Sequence, residues 1–452
     1  MIARRLSEIA AAVGGELDGN DVLASSVTTD SRLAEPGALF VALRGEHADG
    51  HDFVADAHAR GAVGAIVERL AGGTTVTVPD TGRALLDLGA DERTRMSGTV
   101  VIGITGANGK TSTKDLAGAL LGTRFRTHAS PASFNNEIGL PMTLLGAAEG
   151  TEVVVAEMGA RRAGDITLLC EVARPDVVVV TNVGVAHMEI FGSWDEIVRA
   201  GAEPVGWLGS KGVAIVNADD PVVRGYAART SAHVVTFGVD AGAQVRAEDV
   251  TLGPDARASF ELVHGSDREP LELAVPGEHM VANALAAAAC GLVRGMTVAE
   301  CATALKGARI SAMRMETFTT PTGVLVLNDA YNANPESMAA GLKTARRMAT
   351  GRRLVAVLGH MAELGPIAFR EHEKIGELVV RIGTDRLITV GQEARAIARA
   401  AVREGQLPED TATYDDPAEA AADVRSWAGR GDVVLLKGSR VIALERVAEA
   451  LR

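Results

Sequence analysis

Residues 103–113 read Gly-Ile-Thr-Gly-Ala-Asn-Gly-Lys-Thr-Ser-Thr and follow directly on the apolar run Thr99-Val100-Val101-Ile102. Glycines at 103, 106 and 109 let a backbone turn its N–H groups inward on an anion. Lys110 adds a point charge for the outer phosphates of a nucleotide, and Thr111 offers a hydroxyl to Mg2+. A strict phosphate loop carries glycine where this chain has Ile104, so the motif is the variant Thr-Gly-x-x-Gly-Lys-Thr. A dinucleotide fingerprint also repeats glycine every three residues, but it has no use for Lys-Thr after the last one. The expected chemistry is that of a nucleoside triphosphate.

Further polar groups follow other apolar runs. Glu157 ends Val153-Val154-Val155-Ala156-Glu157, and a buried carboxylate there needs a partner, either Mg2+ or an arginine such as Arg161. His187 closes Asn182-Val183-Gly184-Val185-Ala186-His187, and its reading is a metal or phosphate contact or a structural histidine. Asn135 and Asn136 lead into a helix, as a cap or as amides that touch substrate or ion. The segment Asn328 to Pro335 is polar enough to be a loop closing over a ligand. His128, His264 and His372 read as surface residues, and His372-Glu373 lacks the second histidine of a zinc helix.

These groups need elements to hold them. The glycine loop opens a helix expected over 110–121, whose positive end adds its own field. Strands are expected at 100–105, 153–157, 177–181, 213–217 and 234–237. Val177-Val178-Val179-Val180 shows no alternation, as for a strand covered on both faces. Open parallel sheets bind ligands beyond the carboxyl ends of their strands, so Lys110, Glu157 and His187 fall on one expected edge. A second α/β series follows, with strands at 324–328, 354–358, 387–390 and 433–436. Ahead of both lies a helix over 6–13, with short strands and polar corners. The fold class is α/β in three domains. A smaller N-terminal α/β domain (1–97) precedes a central P-loop mononucleotide-binding parallel sheet (98–310) and a C-terminal Rossmann-like domain (311–452).

Bulk properties agree. A chain of 452 residues exceeds one core and fits about three. With 47% apolar but only 3% aromatic residues, the cores must be aliphatic. A net charge of -13 argues against a nucleic-acid partner. Three cysteines without metal spacing suit a reducing compartment. Glu8 interrupts the start where a signal peptide needs hydrocarbon, and no run of about 18 apolar residues would insert in a membrane. A cytoplasmic monomer is expected.

Over essentially its whole length the sequence resembles the Mur ligases of peptidoglycan synthesis. Beyond the loop, the resemblance rests on Asp30-Ser31-Arg32, Asp49-Gly50-His51-Asp52-Phe53, Phe134-Asn135-Asn136-Glu137-Ile138-Gly139 and Glu157-Met158-Gly159-Ala160. It continues through Asn217-Ala218-Asp219-Asp220, Arg314-Met315-Glu316, Tyr331-Asn332-Ala333-Asn334-Pro335 and Lys437-Gly438-Ser439-Arg440. The branch indicated is the one that adds D-alanyl-D-alanine to a UDP-N-acetylmuramoyl-tripeptide.

The resemblance implies an ATP-dependent amide ligase working with Mg2+. The peptide carboxylate attacks the γ-phosphate of ATP, and the dipeptide amine then opens the acyl phosphate. Lys110, Glu157 and His187 become the catalytic set, with Thr111, Glu157 and His187 toward metal. ATP falls to Thr105, Gly106, Asn108, Gly109, Lys110, Thr111 and Ser112, joined by Asn283, Arg314, Asp329 and Asn332. The UDP-linked sugar-peptide and the dipeptide fall to Ser31, Arg32, Asn135, Asn136, Lys437, Ser439 and Arg440.

Three positions depart from the family pattern. Gly201 stands where the family has a lysine carboxylated by CO2, and Pro204 is expected to disrupt that helix. Glu203 is the nearest candidate to replace the missing metal support. Met280 replaces an asparagine in His279-Met280-Val281-Ala282-Asn283, and His360 replaces an aspartate in Gly359-His360-Met361-Ala362-Glu363. Two alternatives therefore stay open. One is a relative with the same acyl-phosphate chemistry acting on a different acid and amine in specialised metabolism; the other is a nucleotide-binding protein without turnover.

Overall fold

The computed structural model describes residues 1–45 and 47–452. Its centre is a nine-stranded sheet in the order Asp267–Pro276, Arg257–His264, Val245–Leu252, His233–Gly238, Val213–Asn217, Val177–Val180, Val100–Thr105, Val153–Glu157, Thr127–Ala129. Adjacent residues along its buried strands face opposite layers. Ile102, Ile104, Val155 and Val179 pack on Leu116, Leu120 and Leu285. Val101 and Val154 pack on Leu169 and Val172, and Val178 and Val180 on Val205 and Tyr226. Both faces are therefore dry, which is why Val177-Val178-Val179-Val180 is apolar without alternation.

Val100–Thr105 pairs in parallel with Val153–Glu157 on one side and Val177–Val180 on the other. Connections from neighbouring strands diverge at its carboxyl end, which is the crevice where such sheets hold ligands. The helix Lys110–Leu121 starts there, with Gly109 as its left-handed cap.

The central sheet is mostly parallel, as expected, and turns antiparallel at one edge. Val245–Leu252 is parallel to its neighbour, but Arg257–His264 and Asp267–Pro276 return as antiparallel hairpins. Their charged residues alternate with buried ones, as in Val245-Arg246-Ala247-Glu248, because one face of this meander meets solvent. The six-stranded sheet of the C-terminal part runs Glu316–Thr319, Leu325–Asn328, Val433–Lys437, Leu354–Gly359, Arg386–Val390, Thr411–Tyr414. Only its first pair is antiparallel. The N-terminal part holds a five-stranded sheet, and its helix Thr81–Arg95 lies against Gly139–Gly146 and Asp165–Ala173 of the middle part. At that joint Arg93 Nη2 donates to Asp176 Oδ2 at 3.0 Å.

Two local expectations fail. The helix Trp194–Trp207 runs through Pro204 rather than ending before it. Proline in a helix interior costs about 3 kcal/mol, but a face carrying Ala202 and Val205 against Val178 and Val180 outweighs it. His372 is buried, not on the surface. Its Nδ1–H donates to Ala368 O at 2.6 Å and its Nε2 accepts from the Met361 N–H at 2.9 Å, so backbone satisfies both nitrogens. His128 is half-buried, and His264 is exposed as expected. Among the described residues no helix is long and apolar enough to cross a membrane.

Candidate functional site

The glycine loop is bolted to the next strand. Ala107 N–H donates to Asn182 O at 3.0 Å and Asn108 N–H to Asn182 Oδ1 at 2.8 Å. Thr181 Oγ1 donates to Asn108 O at 2.6 Å. Gly106 has φ 132°, and a Cβ there would collide with Thr181 Oγ1, so only glycine closes this turn. Lys110 Nζ donates to Gly106 O at 2.6 Å and to Ala107 O at 3.3 Å, which folds the ammonium over the loop mouth. Burial pushes the pKa of that ammonium down, with the Glu157 charge opposing the shift and Arg314 adding to it.

Glu157 stands at the end of its strand beside Ile104 and is fully buried. Asn135 Nδ2 donates to Glu157 Oε1 at 2.8 Å, while Oε2 finds no partner among the described residues. Arg161, the alternative partner, reaches Glu363 instead. The buried Thr111 hydroxyl lies 3.2 Å from Ser133 Oγ. Ser133 Oγ also accepts from Arg314 Nη2 at 3.2 Å. The Arg314 guanidinium in turn stacks on Tyr331, 4.2 Å from the ring centre.

His187 follows the Val177–Val180 strand with φ 59° and bonds through Nδ1 to Glu363. Burial pushes its pKa down, against the pull of Glu363. A cavity of about 60 Å³ joins Gly106, Lys110, Ala160, His187 and Gly201. The C-terminal part closes over the loop through Asn334, whose Nδ2 donates to Asn108 Oδ1 at 2.7 Å.

Several of the residues expected at the site make bonds within the protein. Lys437 is buried, and its ammonium goes to Asp329 Oδ2 at 2.5 Å, Asn332 O at 3.1 Å and Asp329 O at 3.5 Å. These bonds hold the 328–335 loop. Ser439 accepts from the Ala362 N–H at 2.9 Å and donates to Ala333 O at 3.4 Å. Asn136 Oδ1 caps the Gly139–Gly146 helix by accepting from Gly139 N–H at 2.9 Å. Asn283 is buried under Gly109 and accepts from Thr113 Oγ1 at 3.3 Å. Arg440 and the Asn332 side chain are exposed. In the N-terminal part Ser31 is buried and Arg32 exposed. The Arg32 guanidinium is forked onto Asp30, a hydrogen bond that lowers the Asp30 carboxyl to about 2.

The three departures also have places. A Cβ on Gly201 would lie 2.8 Å from Tyr226 Oη, so the tyrosine occupies the room a side chain would need. Glu203 does not reach the site: it accepts from Gly164 N–H at 2.7 Å, Thr167 N–H at 2.9 Å and Thr167 Oγ1 at 3.0 Å, capping the Asp165–Ala173 helix. Met280 Sδ accepts from Asn283 Nδ2 at 3.4 Å, supplying the acceptor half of the missing amide. His360 Nε2 lies 3.5 Å from Glu393 at the edge of the C-terminal sheet.

The fold and site define an α/β protein in three parts, with a phosphate loop at a switch point and residues from a second sheet closing on it. Comparison with known proteins agrees. Family models match residues 23–78 (Mur ligase family, catalytic domain), 104–291 (Mur ligase middle domain) and 313–440 (Mur ligase, glutamate ligase domain). The chain is 39% identical to the UDP-N-acetylmuramoyl-tripeptide–D-alanyl-D-alanine ligase of Mycobacterium bovis, over 100% of this chain and 98% of that one. MurF from Acinetobacter baumannii superposes with a TM-score of 0.87 at 31% identity, covering 100% of this chain and 99% of the other. The MurF ligase of Thermotoga maritima in complex with ADP gives 0.82 at 29% identity, covering 95% and 97%. The chain belongs to the Mur ligase family, in its MurF branch.

Proposed function

We propose that this chain is an ATP-dependent ligase that joins D-alanyl-D-alanine to a UDP-N-acetylmuramoyl-tripeptide, releasing ADP and phosphate. The observation that carries the reading is the meeting of Lys110, Thr111 and the unpaired Glu157 Oε2 with Arg314 and Asn334 from a different sheet. A plain triphosphatase would need no such second lobe. The ADP held by the Thermotoga maritima relative supports ATP as the nucleotide.

A carboxylate is a poor acylating agent, and phosphorylation turns its oxygen into a good leaving group. In the first step a carboxylate oxygen of the tripeptide attacks the γ-phosphorus and the bond to ADP breaks. In the second the dipeptide nitrogen attacks the acyl carbon and phosphate departs, the amine giving up a proton. Both steps gather negative charge, which Lys110 over the loop and Arg314 against Ser133 are placed to offset. Arg32, held by Asp30 with its remaining donors outward, suits the diphosphate of the UDP moiety.

The site fits Mg2+. A buried carboxylate oxygen without a partner, near a hydroxyl and a phosphate loop, is the oxygen set a hard cation takes. Glu157 and Thr111 would hold it; His187 offers only an imidazole nitrogen, which suits Mg2+ less well. When bound, the ion would neutralise charge on the phosphates.

Three domains, 1–97 for the UDP-linked acid, 98–310 for ATP and 311–452 for the amine, are the division we propose. A cytoplasmic monomer is part of the same reading. A different acid and amine is not favoured, because the similarity to ligases named for this reaction runs over the full length of the chain. The test is phosphate release with UDP-N-acetylmuramoyl-tripeptide and D-alanyl-D-alanine together, the product weighed by mass spectrometry. Release that needs both substrates is expected; no adduct at high enzyme concentration would reject these substrates.

A further inference from the structure

Glu363 belongs to the C-terminal part, yet both polar partners of its side chain lie in the middle one. Oε1 pairs with Arg161 and Oε2 with His187 Nδ1. Its carbonyl accepts from the Glu189 N–H at 3.1 Å. Its backbone is left-handed, φ 61°, a conformation unfavourable for a residue with a Cβ. Strain of this kind persists where surrounding contacts over-determine it. Here they do: the neighbouring Met361 and Ala362 N–H groups are tied to His372 and Ser439, so the loop is rigid before Glu363 reaches out. Gly365 then backs onto Glu189, where a Cβ would lie 3.0 Å from its Cα.

We propose that Glu363 is the latch that docks the C-terminal part on the middle one, and the positioning residue for His187. The reading rests on the ligase function above. A carboxylate only accepts, so the bond to Glu363 puts the imidazole proton on Nδ1. Nε2 then carries the lone pair, has no protein partner among the described residues, and belongs to the residue that lines the Lys110 cavity. The ring is held in this tautomer only while the two parts are docked, which couples closure to the state of the reaction cavity. An isolated surface ion pair contributes little. Glu363 instead joins two side-chain partners and a backbone bond in one half-buried contact.

The test uses the full chain with dyes on Thr123→Cys and Glu404→Cys, both exposed, since the three native cysteines are buried. Single-molecule energy transfer then reads docked against undocked populations. Glu363→Gln keeps the shape and Glu363→Ala removes the side chain; Arg161→Ala weakens the same latch from the other side. Expected is a shift of the docked ratio by roughly tenfold in both Glu363 variants, the loss of a charge-assisted hydrogen bond. The ligase assay should show kcat reduced by roughly tenfold or more, with the KM for ATP nearly unchanged. Unchanged docking in both Glu363 variants, or unchanged kcat in both, overturns the proposal. Should the wild type make no adduct, the substrate reading fails while the energy-transfer ratio still decides the latch.

Discussion

Asn334 Oδ1 accepts from the Ser337 N–H at 3.0 Å while its Nδ2 donates to Asn108 Oδ1 at 2.7 Å. The residue that caps the helix Pro335–Met348 thus also grips the phosphate loop of another sheet. Serine is an equally good cap but too short to reach Asn108. Asn334→Ser should keep the melting temperature of the wild type and raise the KM for ATP by about 3- to 10-fold, the worth of one hydrogen bond. Asn334→Ala should lose both, with about 1 kcal/mol of stability. Equal KM values in wild type and Asn334→Ser would show that the interlobe bond is idle.

Lys110 is tied only to carbonyls of its own loop, so removing it should leave the fold intact. Lys110→Ala is expected to lower phosphate release by about 10²–10³-fold or more, with an unchanged circular dichroism spectrum. Activity above a tenth of wild type would contradict the placement of the γ-phosphate.

Gly201 and Tyr226 should be coupled. Gly201→Ala drives a methyl toward Tyr226 Oη and should cost about 1–3 kcal/mol. Tyr226→Phe removes that oxygen and also its 2.7 Å hydrogen bond to Val198 O. In urea unfolding the double variant should be less destabilised than the two singles summed. Simple additivity would mean that the backbone moves aside instead.

His372 makes stability depend on pH. Burial lowers its pKa below the ordinary 6.5, only partly countered by the bond to Ala368. The unfolded chain therefore takes up the proton first as pH falls. The stabilisation is complete above 6.5 and is lost as pH drops from there through the lower folded value. Between pH 7 and 5 the melting temperature of wild type should fall more steeply than that of His372→Gln. Parallel slopes would remove His372 from the account.

The sequence carries what is local. Val100–Thr105, Val153–Glu157 and Lys110–Leu121 fall where apolar runs, glycines and helix formers put them. Lys110, Glu157 and His187 share one edge because each follows a buried strand of the same parallel sheet. The meander over 245–276 is not legible in the same way, since its strands are half-exposed and rich in charge rather than continuous apolar runs.

The residues by themselves determined the α/β class, the phosphate loop and the identity of the acid at its side, because backbone geometry and side-chain chemistry act over a few positions. Tertiary structure alone decided which polar groups remain free to act. Lys437 is bonded to Asp329, 108 residues away, and His187 is held by Glu363, 176 residues away. A donor or acceptor has a fixed number of bonds to give, and only the folded chain determines whether a neighbour or a substrate receives them.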